Sequence, residues 1–422
     1  MHHFEYHHGE LRCEGVEIRD IARQVGTPFY LYSQATLTRH YTVFDGAFAA
    51  LPHLTAFAVK ACSNIAILSL LGRLGAGADI VSGGELFRVL RAGIPGERIV
   101  FSGVGKTEPE VAAALRAGIR MFSVESGPEL TMINRVAGEL GLRAPVALRV
   151  NPDVDPQTHP YISTGLKENK FGFPVKGVEE VFLKAAAMPH IRVIGVHQHI
   201  GSQITQIPPF VEAVERAAEL IRSLRAAGLA IECLDIGGGI GIPYEDTQPP
   251  SPEQLAEAVV PILASLGVHI ITEPGRVIAG NAGVFVTRVL RTKEHTDKNF
   301  LVVDGAMNDL MRPSLYNAYH KIIPVREPLD SQGVLRKDIL ADVVGPICES
   351  GDFLARNRTL PRPEEGELLA VMSAGAYGFS MSSTYNSRPR VPEVLVDGTT
   401  VHVIRTRETY EDLVAREVIP WQ

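Results

Sequence analysis

From about residue 27 to residue 280 one motif recurs: a short apolar stretch of strand character, followed by an amphipathic stretch of helical period. The strand candidates are Phe29–Tyr32, Thr55–Val59, Gly77–Ile80, Ile99–Phe101, Met121–Val124, Val146–Val150, Val193–Val196, Cys233–Ile236 and His269–Thr272. Between them lie helical stretches such as Gln34–Ala50, Gly84–Ala92, Glu108–Ala117, Pro128–Glu139, Phe210–Ala227 and Pro252–Leu266. Strands alternating with helices require βαβ crossovers and hence a parallel sheet. Roughly eight such units over about 250 residues favour a closed (β/α)8 barrel of the TIM type, with an open doubly wound sheet as the alternative.

Beyond residue 280 the texture changes. Asn281–Leu290, Phe300–Val303, Ile322–Val325, Ile339–Val344, Glu367–Met372 and Val394–Ile404 read as strands separated by Gly, Pro and Asp turns, with few helical patterns. The expectation is a barrel over 27–280 and a mostly β domain over 281–422, with the junction near Gly280. Residues 1–26 carry a β segment (Leu11 to Ile18) and a helical turn (Asp20 to Gln24), and are expected to pack on the β domain. The run Gln248–Pro252 reads as a loop before a helix.

Composition narrows the function. A chain of 422 residues that is 45% hydrophobic and 21% charged is an ordinary globular protein. Its net charge of −7 disfavours a nucleic-acid partner, and no apolar run is long enough for a membrane span. The opening residues lack an apolar signal core, so the expected compartment is the cytoplasm. Cys13, Cys62, Cys233 and Cys348 have neither metal-ligand spacing nor the density of a disulfide framework.

Barrel enzymes work at the C-terminal strand ends, and often hold phosphate on the loops after the last two strands. Here those strands end in Asp235-Ile236-Gly237-Gly238-Gly239-Ile240-Gly241 and Thr272-Glu273-Pro274-Gly275-Arg276. The first offers backbone N–H groups at close approach; the second adds a guanidinium. Neither is a Walker loop or a dinucleotide fingerprint. Another strand ends in Val196-His197-Gln198-His199-Ile200-Gly201-Ser202. No second strand-end pair completes a metal sphere in sequence, so His197 is read as a hydrogen-bonded core histidine and His199 as an imidazole able to stack on a planar ligand. No metal is expected.

The run Thr55–Cys62 is apolar and closes on Lys60. A strand-end lysine ordinarily snorkels to solvent, whereas a desolvated one loses its proton and becomes a nucleophile. The β domain adds polar clusters at Met311–Tyr316, Gly345–Ser350 and Ala374–Gly378, each of which would otherwise be a surface turn. Cys348 lies in a Gly/Pro-bounded turn, where a thiol is accessible. An amine, a phosphate cradle, an acid and a thiol together suggest pyridoxal 5′-phosphate. Lys60 would form the Schiff base, Gly237–Gly239 with Gly275-Arg276 would hold the phosphate, and Glu273 would pair with the ring nitrogen.

These motifs resemble the diaminopimelate decarboxylases, of the alanine-racemase-like barrel class of pyridoxal-phosphate enzymes. The resemblance is carried by Ala58-Val59-Lys60-Ala61, His159–Gly165, Lys170-Phe171-Gly172, His199–Gln203, Gly237–Gly239, Glu273–Arg276, Arg312-Pro313, Cys348–Asp352 and Tyr377-Gly378, in that order over nearly the whole chain. It implies decarboxylation of meso-2,6-diaminopimelate to L-lysine, the last step of lysine biosynthesis. It further implies that Lys60 carries the cofactor, that His199 stacks on its ring, and that Ser202 and the glycine loop hold its phosphate, beside Glu273, Pro274, Gly275 and Arg276. Cys348 would give the proton to the decarboxylated carbon. Arg276, Arg312, Tyr316, Glu349 and Tyr377 would bind substrate, Tyr377 also lying near the cofactor. A homodimer would share its active sites, with Cys348 and Glu349 coming from the neighbouring subunit. The alternative is an ornithine- or arginine-type decarboxylase of the same fold, whose substrates lack a distal carboxylate for Arg312. An amino-acid racemase would need a second base on the opposite face, and a catalytically dead binding protein is disfavoured by the intact Lys60 and Cys348.

Overall fold

The computed structural model describes residues 2–155, 170–245, 247–296 and 298–421; the motif His159–Gly165 lies outside the described residues. The chain forms two compact units: His40–Pro243 with Thr247–Ile278, and Met1–Arg39 with Tyr244–Asp246 and Ala279–Gln422.

The first unit is a closed parallel barrel. Its eight strands are β1 (His53–Ala58), β2 (Gly77–Ile80), β3 (Ile99–Phe101), β4 (Met121–Val124), β5 (Ala144–Asn151), β6 (Ile191–His197), β7 (Cys233–Asp235) and β8 (His269–Thr272). They pair in chain order, and β8 closes on β1 through Thr272 opposite Thr55. Helices start where their caps demand. Asn64 accepts the Ala66 N–H and opens Ile65–Arg73, while Ser82, Ser126 and Ser251 cap theirs in the same way. The lower interior is an apolar layer of Ala56, Val100, Met121, Ala147, Ile194, Cys233 and Ile271. Toward the C-terminal ends the lining becomes polar although it stays buried: Asp79 on β2, Ser102 after β3, Ser123 on β4, Arg149 on β5, His197 on β6, Asp235 on β7 and Glu273 after β8. A strand barrel pays for such groups only if they bond to one another, so this change of lining marks where a site can be.

The second unit is mostly sheet, ordered Phe353–Pro361, Asp338–Val344, Asn299–Val303, Gly283–Glu294, Phe29–Ser33, Glu393–Asp397 and Thr400–Arg405. Its core brings Phe4, Leu11, Ile18 and Ile21 of the N-terminal segment against Phe29, Leu31, Val284, Val286, Val394 and Val396. Two sequence expectations need correction. Phe29–Tyr32 is not a barrel strand: Phe29–Ser33 pairs antiparallel with Gly283–Glu294 and parallel with Glu393–Asp397. All five of its residues are buried, which is the pattern a parallel barrel strand also shows. Val394–Ile404 is a hairpin rather than one strand, turning at Gly398-Thr399 with Gly398 at φ +60°. The strand Phe353–Pro361 and the helix Val178–Ala186 have no counterpart among the expected elements.

Candidate active site

Four neighbouring strands of the barrel ring, β6, β7, β8 and β1, carry the sequence-picked residues of this unit at one end. Lys60 does not sit on β1 itself but in a single 3-10 turn, Val59–Ala61, that follows it. Nor is it desolvated. About a third of its side chain (35%) stays exposed, and its Nζ is paired with the Asp79 carboxylate, which is fully buried. The register explains the pair: Ala58 lies opposite Asp79 across the β1–β2 ladder, so the residue two past Ala58 reaches the carboxylate. Burial pushes Asp79 above the usual carboxylate range, the Glu273 charge adds to this, and the Lys60 ammonium opposes it.

Glu273 is buried at the centre of the polar lining. Its Oε1 accepts from Ser102 Oγ at 3.2 Å, and its Oε2 lies 3.6 Å from His197 Nε2. Burial alone would raise it, but His197 and then Lys60 outweigh burial and hold it below the ordinary carboxylate range. Asp235 goes the other way. Burial first, then the Glu273 charge, drives it well above that range, while its Oδ1 accepts the Gly237 N–H at 2.9 Å. The two carboxyls are thus pushed in opposite directions, Glu273 toward the ionised form and Asp235 toward the protonated one, as happens when two carboxyls share a dry site. His197 is tied through Nδ1 to Ser123 Oγ, in keeping with a core role. Ligand atoms of His197, Asp235 and Glu273 lie within 4.8 Å of one another, a cluster that the sequence did not reveal.

His199, two residues past β6, accepts the Gly238 N–H at its Nδ1, 3.2 Å away. The proton of a neutral ring must then sit on Nε2. The residue is half-buried by its surface, yet burial, with the Arg149 charge, pushes its pKa down to about 3. The imidazole is a neutral, oriented plate. The glycine loop is not a flexible linker either. A Cβ on Gly238 would lie 2.1 Å from the Glu273 carbonyl oxygen, and Gly239, at φ +116°, would place one 2.3 Å from the Gly201 carbonyl. The loop needs glycine because strand-end backbones press against it. Its Gly237 N–H donates to Asp235 Oδ1 and its Gly238 N–H to His199 Nδ1, which ties the loop to the ends of β7 and β6. Arg276 opens the turn after Glu273-Pro274-Gly275, is buried, and donates from Nη2 to Ser202 Oγ at 3.2 Å. Gly275 packs tightly on Ala58 and Ala61, 3.0 Å from each for an added Cβ, which locks this turn to the one carrying Lys60.

The remaining picked residues belong to the second unit. Arg312 begins the short helix Arg312–Tyr316 and is buried; Tyr316 is half-buried. Cys348 and Glu349 are exposed on a turn that the buried Asp352 braces by accepting the Ile347 and Met307 N–H groups, each at 2.7 Å. The Cys348 N–H donates to Asn386 Oδ1 at 2.9 Å, and Tyr385 donates to Glu349 Oε2 at 2.9 Å. Tyr377 is half-buried with φ +56°, an uncommon backbone state for a non-glycine residue. The residues that sequence reasoning missed are Asp79, Asp235, Ser102 and Arg149. A lone acid within the apolar strand Gly77–Ile80 was the available signal for the first of them.

The barrel unit thus carries an amine, an imidazole, a buried carboxylate and a buried guanidinium at the C-terminal ends of neighbouring strands. Residues 34–280 match the family model described as pyridoxal-dependent decarboxylase, pyridoxal binding domain. The chain is 52% identical over 420 residues to a diaminopimelate decarboxylase of Pseudomonas aeruginosa, covering 99% of each. It is 51% identical over 421 residues to one of Vibrio cholerae, again over 99% of each. Among solved structures, the diaminopimelate decarboxylase of M. jannaschii in co-complex with L-lysine superposes with a TM-score of 0.93 at 39% identity, covering 99% of this chain and 98% of that one. With this fold, these strand-end groups and this likeness over its full length, the chain belongs to the diaminopimelate decarboxylases, within the pyridoxal-dependent decarboxylases of the barrel fold.

Proposed function

We propose that this chain removes CO2 from the D-configured centre of meso-2,6-diaminopimelate, giving L-lysine, with pyridoxal 5′-phosphate held at the strand ends of the barrel. The observation that carries the reading is the pairing of Lys60 with Asp79 in the same strand-end cluster as the buried Glu273, bonded to Ser102, and His199, bonded to the glycine loop. The residues fit the cofactor: two glycines that tolerate no Cβ shape the loop, and a buried guanidinium bonded to Ser202 supplies donors for a phosphate. When bound, the cofactor supplies an electron sink for the carbanion left by loss of CO2.

The chain's own groups do the rest. Lys60 supplies the amine, and Asp79, raised by burial, takes the proton that the amine must give up. His199 offers a flat face to the ring without adding charge. Glu273 carries the negative charge that a protonated ring nitrogen needs, and Asp235 and Ser102 hold that carboxylate in place. Ser202, the Gly237–Gly239 loop, Gly275 and Arg276 serve the phosphate. Arg276, Arg312, Tyr316 and Tyr377 bind the substrate, and Glu349 takes its distal ammonium. The Cys348 thiol delivers a proton to the decarboxylated carbon. Cys348 and Glu349 are exposed, which supports a homodimer in which each chain lends them to the site of the other.

An ornithine or arginine substrate would leave the guanidinium of Arg312 without a carboxylate, at a cost that favours the dicarboxylate strongly. The test is CO2 release by the cofactor-loaded protein from meso-diaminopimelate, ornithine and arginine in parallel. Release from the first alone is expected; equal or greater release from ornithine or arginine would replace this reading with the alternative.

A further inference from the structure

Arg312 is held by a construction that the sequence motif around it does not reveal. The helix Arg312–Tyr316 makes little more than one turn and stops at Asn317, whose left-handed backbone (φ +51°) reverses the chain. Because of that reversal His320 comes back against the residue that began the helix. Arg312 Nη1 lies 2.8 Å from His320 Nε2, and His320 Nδ1 lies 2.8 Å from the Met372 carbonyl oxygen. The two contacts fix the imidazole completely. A guanidinium only donates, so Nε2 must be bare; a carbonyl only accepts, so Nδ1 must carry the hydrogen. His320 is fully buried and Arg312 is 6% exposed, so water does not compete for either contact.

The guanidinium is also held from the side. Its carbon lies 4.6 Å from the centroid of the Tyr244 ring, and that ring meets His320 edge-on at 5.3 Å. The His320 backbone is anchored in turn, since Arg358 Nη1 donates to its carbonyl at 2.5 Å. An arginine left to itself loses several rotatable bonds' worth of freedom when it grips a carboxylate. Here that loss has been taken during folding.

We propose that His320 is a positioning residue for substrate recognition: by accepting from Arg312 in its Nδ1–H form, it holds the guanidinium in the one plane in which it meets the distal carboxylate of the ligand. This rests on the reading of Arg312 as the distal-carboxylate group. L-lysine keeps that carboxylate after decarboxylation and cadaverine has none, so the pair separates carboxylate recognition from everything else in the site.

Two substitutions dissect the imidazole. His320→Asn keeps a donor where Nδ1 stood, preserving the bond to Met372, but is too short to accept from Arg312. His320→Gln keeps an acceptor near the place of Nε2. The measurement is calorimetric titration of L-lysine and of cadaverine into cofactor-loaded protein, with thermal melts of both variants as a check on folding. Loss of one hydrogen bond to a charged partner predicts that His320→Asn binds L-lysine about tenfold or more weakly, cadaverine as before, and that His320→Gln recovers most of the loss. Lysine binding unchanged in His320→Asn, or equally weakened in both variants, overturns the inference. Arg312→Ala is the control. If it leaves lysine affinity intact, the assignment of Arg312 fails and the inference with it. If it weakens lysine while His320→Asn does not, only the role of His320 fails.

Discussion

Gly238→Ala tests whether the glycine loop is a rigid element shaped by its neighbours. An added Cβ would lie 2.1 Å from the Glu273 carbonyl oxygen and 2.8 Å from its carbonyl carbon, both backbone atoms. Real Cβ contacts essentially never fall below 3.0 Å, so one backbone must retreat from the other by close to an ångström. Overpacking of this kind costs about 1–3 kcal/mol, or roughly 2–4 °C of melting temperature for each kcal/mol in a unit of this size. The larger effect falls on the site. The Glu273 N–H donates to Gly237 oxygen at 2.8 Å, so a shift of the loop carries the Glu273 turn with it. Misplacing an oriented group by about 1 Å can cost on the order of a hundredfold in function. Pyridoxal-phosphate affinity, followed by absorbance on titration, should therefore fall far more than stability measured by melting. Gly46→Ala, whose Cβ would meet nothing within 4 Å on the helix Gln34–Ala47, should be neutral or stabilising. A Gly238→Ala protein that binds cofactor and turns over like the parent would refute the reasoning.

Three further outcomes follow from the same geometry. Cys348→Ala should cut turnover severely while leaving cofactor absorbance near that of the parent; turnover at the parental rate would remove the thiol from the mechanism. If two chains share each site, mixing inactive Lys60→Ala with inactive Cys348→Ala should restore up to roughly a quarter of parental activity, through mixed dimers with one intact site. Activity that stays at zero in verified mixed dimers would place all the groups on one chain. His199 is pushed by burial from 6.5 to about 3, so between those values the unfolded chain binds a proton that the folded one refuses. Its contribution to stability is complete above 6.5 and is lost as the pH falls toward 3. His199→Gln should consequently lose less urea stability than the parent between about pH 7 and pH 4.5, and an identical loss would contradict this.

Much of the fold was legible because a parallel barrel writes itself locally. Its short buried strands are mostly apolar runs, and several helices announce their start with a serine, threonine or asparagine cap. Phe29–Ser33 was misread for the same reason. It is apolar on both faces, and only its partners, more than 250 residues away, reveal that it belongs to the other sheet. At the site, the strand-end residues stood out because glycine runs, a His-x-His and a lone lysine break apolar strands. What stayed hidden was set by register and reversal. Asp79 matters because it lies across the ladder from Ala58, and His320 because Asn317 turns left-handed. The reading of Lys60 as a desolvated amine missed Asp79 altogether, whose carboxylate pairs with the amine.

The central claim is that Lys60, on its turn after β1, is the covalent anchor of the cofactor. Borohydride reduction of the pyridoxal-phosphate-loaded protein, followed by proteolysis and mass mapping, tests it directly. The account predicts one reduced pyridoxyl adduct, on the peptide containing Lys60, and none in Lys60→Ala. An adduct on another lysine of the parent protein, with Lys60 unmodified, would contradict it.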